Sequence, residues 1–417
     1  MTSSGNFSPP ARTDALIAAL LGLAALALFL WRITDPARIM FDEFHYVPAT
    51  RTLLDLAGLP NAEHPPLGKW LIGFGMTLFG DNPFGWRIMS ALFGALLVSA
   101  GVMAARWLTG TRAAAVMTGL LLLLCQMLFV QARIAMLDIF MASFSMLAFQ
   151  VLAAAARTGF ADRWRLALAG ALMGLATAAK WNAIPFVAVA ILLFVVLRLR
   201  GNPRRAPGPI EGVLWLGPFA ILVYLATFLP YLFLHRSALS PGGIILQQIE
   251  MLKLQSQVLA PHPYQSIWWQ WVLSLRPIWY FYEPVDGIQR GVLLIGNPAI
   301  SWGGLLALPA CLCTGFRRGD RALLVIPLLW AASLAFFILI PKSVMFYYHY
   351  FPAEMLLCFA IAAMLDRGFW QRGNRLVPAA CIGFAALLFI DFYPILSAAA
   401  LDGPQAFNRW MWLESWR

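Results

Sequence analysis

The sequence predicts an all-α polytopic membrane protein with about eleven transmembrane helices. Composition, run length and charge placement carry that prediction. Of 417 residues, 61% are hydrophobic and only 12% charged, with a mean hydropathy of +0.74. A soluble domain is about half apolar and about a quarter charged, so this chain lacks the charge to cover a water-facing surface. Its apolar residues recur in runs of about 18 or more, the length a helix needs to cross roughly 30 Å of hydrocarbon.

The elements follow in order. Residues 1–13 are small, polar and Pro-containing, which predicts a disordered cytoplasmic tail. The apolar run at 15–33 is too long for a signal-peptide core and is not followed by a small-residue cleavage site, so it reads as a retained first span. Residues 35–83 form a polar outer loop, followed by spans near 84–105, 113–132, 138–156, 165–180, 182–199 and 212–234. A second long outer loop, 236–290, precedes spans near 291–313, 321–340, 349–366 and 376–397. The transmembrane domain therefore covers 14–397, and 398–417 form an outer C-terminal tail.

Charge fixes the orientation. With the N-terminus cytoplasmic, the inner segments hold 16 of the 30 basic residues and five acids (Asp14, Asp162, Glu211, Asp320, Asp366). The net charge of +11 then lies wholly inside, as short cytoplasmic loops require. An odd number of spans leaves the C-terminus outside. The same placement explains the basic balance without a nucleic-acid partner. All five cysteines (Cys125, Cys311, Cys313, Cys358, Cys381) lie in or at the ends of apolar runs, so neither a disulfide framework nor a zinc site is expected. No P-loop, dinucleotide fingerprint or internal repeat is visible.

Ionisable residues gather at the outer ends of spans: Arg87, Arg133, Asp138, Lys180 and Lys342. Each alone reads as a snorkelling anchor; five on one side point to a cavity. The first outer loop carries Phe41-Asp42-Glu43-Phe44-His45-Tyr46, then His64-Pro65-Pro66-Leu67-Gly68-Lys69. Adjacent acids repel, so one holds its proton or pairs with a cation, and a carboxylate there suits a general base for a hydroxyl. A solvated turn is the plainer alternative for the acid pair. The double proline marks a shaped loop. His64 and His349 either bond a substrate or satisfy loop carbonyls. The loop at 236–290 carries Trp268, Trp269, Trp271, Trp279, Tyr280 and Tyr282, either an aromatic belt or a lid.

These residues resemble the dolichyl-phosphate-mannose–protein O-mannosyltransferase family in its bacterial form, which has a GT-C membrane fold. The matching segments run in order: Phe41-Asp42-Glu43 with His45, His64 to Lys69, Trp86-Arg87, Gln131-Ala132-Arg133 to Asp138 and Ala179-Lys180-Trp181. Trp268 to Trp271, Arg276-Pro277, Gly296-Asn297-Pro298 and Tyr347-Tyr348-His349 to Pro352 complete them.

The resemblance implies inverting transfer of mannose from a polyprenyl-phosphate carrier to Ser or Thr hydroxyls of exported proteins, outside the membrane. It assigns Asp42 and Glu43 to catalysis, and Arg133, Lys180, Lys342 and His349 to the donor phosphate. Arg87, Asp138, His64 and Lys69 are supporting residues. No cofactor is expected, although some GT-C relatives hold a divalent cation. The loop of about 55 residues is too short for the β-trefoil domain that eukaryotic members insert there, which leaves the acceptor open between an exported protein and an envelope lipid or glycan. The alternatives are a GT-C enzyme moving another sugar from a polyprenyl carrier, or a transporter. A transporter would place ionisable groups at mid-membrane. Lysine occurs only at 69, 180, 253 and 342 among the basic residues, a bias that favours a bacterial inner membrane.

Overall fold

A computed structural model describes residues 8–200, 207–340 and 342–417; the first seven residues of the expected tail, with Arg204 and Arg205, lie outside the described residues. The chain opens with α1 (Arg12–Leu30), followed by two helices inside the first long loop, α2 (Glu43–Leu54) and α3 (Leu67–Phe79). Next come α4 (Pro83–Thr109), α5 (Arg112–Leu123), α6 (Gln126–Gln131), α7 (Leu137–Arg157), α8 (Arg163–Ala179) and α9 (Ile184–Arg200). The next span is split at Gly217-Pro218 into α10 (Pro209–Leu216) and α11 (Pro218–Ala226). The second long loop holds α12 (Pro241–Gln255), α13 (Trp268–Val272) and a hairpin of β1 (Ile278–Val285) and β2 (Ile288–Leu294). Helices α14 (Pro298–Arg318), α15 (Arg321–Leu339), α16 (Phe351–Gly368) and α17 (Leu376–Leu396) complete the bundle.

Among the described residues nine segments are long and apolar enough to cross a membrane. The 17-residue α8 and the broken pair α5–α6 occupy the other two expected positions. Helix ends follow local chemistry. Asn82 caps α4 by accepting from Phe84 N at 3.0 Å and Gly85 N at 3.1 Å, Pro83 needs no donor in the first turn, and Gly110 (φ 81°) ends the helix. Asn297-Pro298 opens α14 in the same way, and Gly319 (φ 63°) closes it.

One expected boundary is wrong. The span placed at 291–313 begins instead at Pro298, because Asp286 (φ 51°) and Gly287 (φ 77°) turn the chain back and pair 288–294 with β1. Val292, Leu293 and Leu294 are apolar because they are buried against α6 and α17, not because they face lipid. A second irregularity is compensated from a distance. The break after α5 frees the Leu124 carbonyl, and Asn297 Nδ2 reaches it at 3.0 Å while also donating to Ala385 O at 2.9 Å. The Gly296-Asn297-Pro298 motif thus braces three helices. Gly296 must be glycine, since a Cβ there would lie 2.3 Å from Ser301 Oγ and 2.7 Å from Glu354 Oε1. Of the nine spans, α16 is the most enclosed and α9 the least. All five cysteines are free.

Candidate active site

A buried ion pair fastens the first long loop. Arg87, near the start of α4, is fully buried, and its guanidinium makes five hydrogen bonds. Nε and one terminal nitrogen grip Glu43 at 2.8 and 2.9 Å, and the remaining donors reach the carbonyls of Ile33, Pro36 and Arg38 at 3.1, 3.0 and 2.7 Å. Glu43 also accepts from Met40 N at 3.1 Å and Ala135 N at 3.0 Å. Its lone pairs are therefore occupied by protein, so it is a positioning residue and not a group that meets substrate. The pair fixes the residue before it.

Asp42 stands at the N-cap position of α2, yet its side chain makes no hydrogen bond among the described residues. The residue as a whole is half-buried. Loss of solvent pushes its pKa up to about 6; Lys180 and His45 act in the opposite direction, and Asp138 adds to the rise. Phe41 immediately before it takes φ 47°, a left-handed conformation rare for an aromatic residue. Its ring is stacked on Tyr280 (4.3 Å, 14°) and edged by Tyr348 and Phe346, contacts that hold the strained residue.

Opposite stand the cations. Lys180 ends α8 in an extended conformation, which carries its Nζ to Asp138 Oδ2 at 2.7 Å and over the Tyr348 ring at 4.6 Å. The other oxygen of Asp138, Oδ1, is buried without a partner. Lys342 Nζ donates to Gln255 Oε1 of α12, and burial followed by the Lys180 charge lowers its pKa to about 8. Gln255 Nε2 donates to Glu63 O at 2.7 Å and meets His64 Nδ1 at 3.3 Å. The His64 pKa is pulled well below the ordinary range, first by burial and then by Lys180, Lys69, Lys342 and His349. His349 is oriented by its own turn, with Nδ1 2.8 Å from Phe346 O, and its ring stacks on Trp271 and Tyr348. Lys69 supports the His64 segment from below: its Nζ donates to the carbonyls of Pro60, Asn61 and His64 at 3.3, 2.7 and 3.0 Å. Burial lowers its pKa to about 7.

The structure thus gathers Asp42, Asp138, Lys180, Lys342, His64 and His349 around one recess, with Glu43, Arg87 and Lys69 holding its walls. Arg133 is not brought to it. Its guanidinium caps α1, donating to Phe29 O at 2.8 Å, Trp31 O at 2.5 Å and Arg32 O at 2.9 Å. Asp138, five residues on, pairs with Lys180 and not with Arg133. Sequence reasoning missed Gln255, which carries no local signal; Tyr348 lay inside the Tyr-Tyr-His-Tyr run and Tyr280 among the aromatics of the second long loop, neither with a role at the site. Trp271 and Tyr280 belong to the core, not to a surface belt, whereas Trp268 and Trp269 are exposed. Below the recess an apolar cavity of about 150 Å³ opens between spans, lined by Ala142, Met146 and Phe149 of α7, Phe186 and Phe194 of α9, Leu329 of α15 and Pro352 and Met355 of α16. Among the described residues no group of three His, Cys, Asp or Glu side chains is disposed to hold a metal ion.

This arrangement superposes on the S. cerevisiae protein O-mannosyltransferase Pmt1-Pmt2 complex bound to the sugar donor with a TM-score of 0.84, at 13% identity, over 98% of this chain and 93% of that one. ArnT from Cupriavidus metallidurans, in its apo state, matches with a TM-score of 0.60 at 21% identity, over 96% of this chain and 68% of that one. The fold is that of a GT-C membrane glycosyltransferase. Residues 63–232 match the model of dolichyl-phosphate-mannose-protein mannosyltransferase, and residues 242–416 that of the C-terminal four TMM region of protein-O-mannosyltransferase. The polyprenol-phosphate-mannose–protein mannosyltransferase of Mycobacterium tuberculosis is 30% identical over 95% of this chain and 90% of its own length. The Mycolicibacterium smegmatis enzyme of the same name is also 30% identical, over 99% and 95%. The chain belongs to the protein O-mannosyltransferase family.

Proposed function

We propose that this protein transfers mannose from a polyprenyl-phosphate-mannose donor to a Ser or Thr hydroxyl of an exported protein, on the outer face of a bacterial inner membrane. The observation that carries the reading is the Asp42 carboxylate: without a side-chain hydrogen bond among the described residues, with a pKa raised to about 6, and within electrostatic reach of Lys180. In the proposed step Asp42 takes the hydroxyl proton as the oxygen attacks the anomeric carbon. The bond from that carbon to the phosphate oxygen breaks with its electron pair, and attack from the opposite side inverts the centre. Polyprenyl phosphate leaves with its charge held by Lys180, Lys342 and His349. Asp138 Oδ1 is free to accept from a sugar hydroxyl, and the apolar cavity suits the lipid tail. The protein's own groups perform the step without a cofactor.

Incubation of purified enzyme with labelled polyprenyl-phosphate-mannose and a Ser/Thr peptide is expected to give an O-linked product of inverted configuration. Label passing only to water, a lipid or a glycan would overturn the reading. For orientation, Ser237→Cys is expected to react with an impermeant thiol reagent on spheroplasts, and Ala161→Cys only after the membrane is opened. The reverse pattern would place the recess in the cytoplasm.

A further inference from the structure

The tail that follows α17 returns to the candidate site. Leu401 N donates to Gln289 O of β2 at 2.9 Å and Trp410 Nε1 to Asp391 O at 2.7 Å, after which Trp416 enters the core and is 1% exposed. Its ring lies among Trp302 of α14, Phe392 of α17 and Trp412, and its Nε1 donates to Ser274 O at 2.7 Å. Resting on the function proposed above, we propose that Trp416 is a positioning residue for the donor. It clamps the turn after α13, and through Trp271 and Tyr347 it fixes the His349 imidazole at the phosphate end of the recess.

The turn needs a clamp. Helix α13 closes with two bonds, Ser274 N to Trp271 O at 3.0 Å and Leu275 N to Gln270 O at 2.8 Å, with Ser274 left-handed at φ 54°. Glycine is the usual residue at that position of a helix end, because a Cβ is strained there. A serine persists in such a conformation when its surroundings hold it, and both polar ends of Ser274 are held. The hydroxyl meets the Tyr347 hydroxyl at 3.0 Å, which in turn accepts from Gly296 N at 3.3 Å. Among the described residues Trp416 Nε1 is the one donor to the Ser274 carbonyl, and the bond is buried. Removing it strands a buried acceptor on a residue that is already strained.

The turn bears on the site along two short routes. Trp271, three residues before Ser274, is enclosed, donates from Nε1 to Ser266 Oγ at 2.8 Å and lays its ring nearly parallel to His349 (5.6 Å, 13°). Tyr347, on the hydroxyl side of Ser274, is fully buried and begins the short turn that carries His349. A loosened turn therefore frees both the ring that backs the imidazole and the residue that starts its own segment. Trp416 acts through His349 and not on substrate.

The experiment measures donor KM and kcat for full-length enzyme with labelled polyprenyl-phosphate-mannose and a Ser/Thr peptide. Trp416→Phe keeps a ring and removes the N–H. It is expected to raise the donor KM roughly three- to tenfold with kcat at saturating donor nearly unchanged, because bound donor draws the turn back to its competent form. Ser274→Ala, which loses only the bond to Tyr347, is a second and smaller change expected to act in the same direction. Two backgrounds separate positioning from plain stability. In the His349→Ala background, Trp416→Phe is expected to add no further rise in donor KM. In the Ser274→Gly background its effect is expected to shrink below about twofold, since glycine holds the left-handed turn without a clamp. Lower thermal stability with donor KM unaltered in both Trp416→Phe and Ser274→Ala overturns the positioning role. An undiminished rise in either background overturns it as well, by placing the effect on another route. A wild-type enzyme that takes no mannose from the polyprenyl-phosphate donor overturns the underlying reading, and the clamp with it.

Discussion

Asp42 and Glu43 are neighbours of the same chemical type, and the structure treats them in opposite ways. Glu43 is enclosed and accepts four hydrogen bonds, two of them from a guanidinium that is itself fully engaged. Asp42 accepts none at its side chain among the described residues and is half-buried as a residue. The same contrast divides the basic residues. Arg87, Arg133 and Lys69 are committed largely to backbone carbonyls, whereas Lys180 and Lys342 each make one side-chain hydrogen bond among the described residues. A polar group whose bonding capacity is met by protein builds the site; one left under-satisfied is available for chemistry.

The sharpest way to break this contrast is Asp42→Asn. It removes a base and no protein contact, so kcat is expected to fall about 10²–10⁴-fold while thermal stability and donor binding stay unchanged. Wild-type turnover would end the assignment. Arg87→Met tests the other half. It leaves Glu43 buried and unpaired, a change that costs about 3–5 kcal/mol, and is expected to appear as a loss of folded protein in detergent. Restored stability in the double variant Arg87→Met/Glu43→Gln would sharpen the point, since the stranded charge would then be gone.

The smallest effect is the pH profile of kcat/KM. Asp42 must be ionised, so activity falls as pH drops through about 6. Lys342 must be protonated, so activity falls again as pH rises through about 8. A bell with limbs near those values is expected, and Lys342→Arg should move the upper limb to higher pH. An unchanged upper limb in that variant would remove Lys342 from the phosphate site.

Much of this was legible in the sequence because the relevant physics is local. Run length marked the spans; Asn82-Pro83 and Asn297-Pro298 open helices that run length alone does not delimit. The motifs held Asp42, His64, Asp138, Lys180 and His349, and the clustering of charge at span ends added Lys342. What was not legible depends on partners far along the chain. Nothing near Arg133 shows that the end of α1 takes its guanidinium, and nothing near Glu43 shows that Ala135 N would fill its last lone pair. The hairpin had a local signal, Asp286-Gly287, but the buried apolar run after it joined the apolar run of α14 and hid the strand. Apolar patterning reports burial, and burial against protein reads the same as burial against lipid.

The five bonds of Arg87 bear on turnover as well as stability. A side chain with every donor engaged has no second arrangement of similar energy, so the loop it grips has a single resting geometry. On the function proposed above, the carboxylate at position 42 meets each incoming hydroxyl already aimed, and the ordering entropy is spent once, when the chain folds, not at every catalytic cycle. Strengthening that grip would gain the enzyme little; loosening it would slow every substrate alike, whatever its sequence.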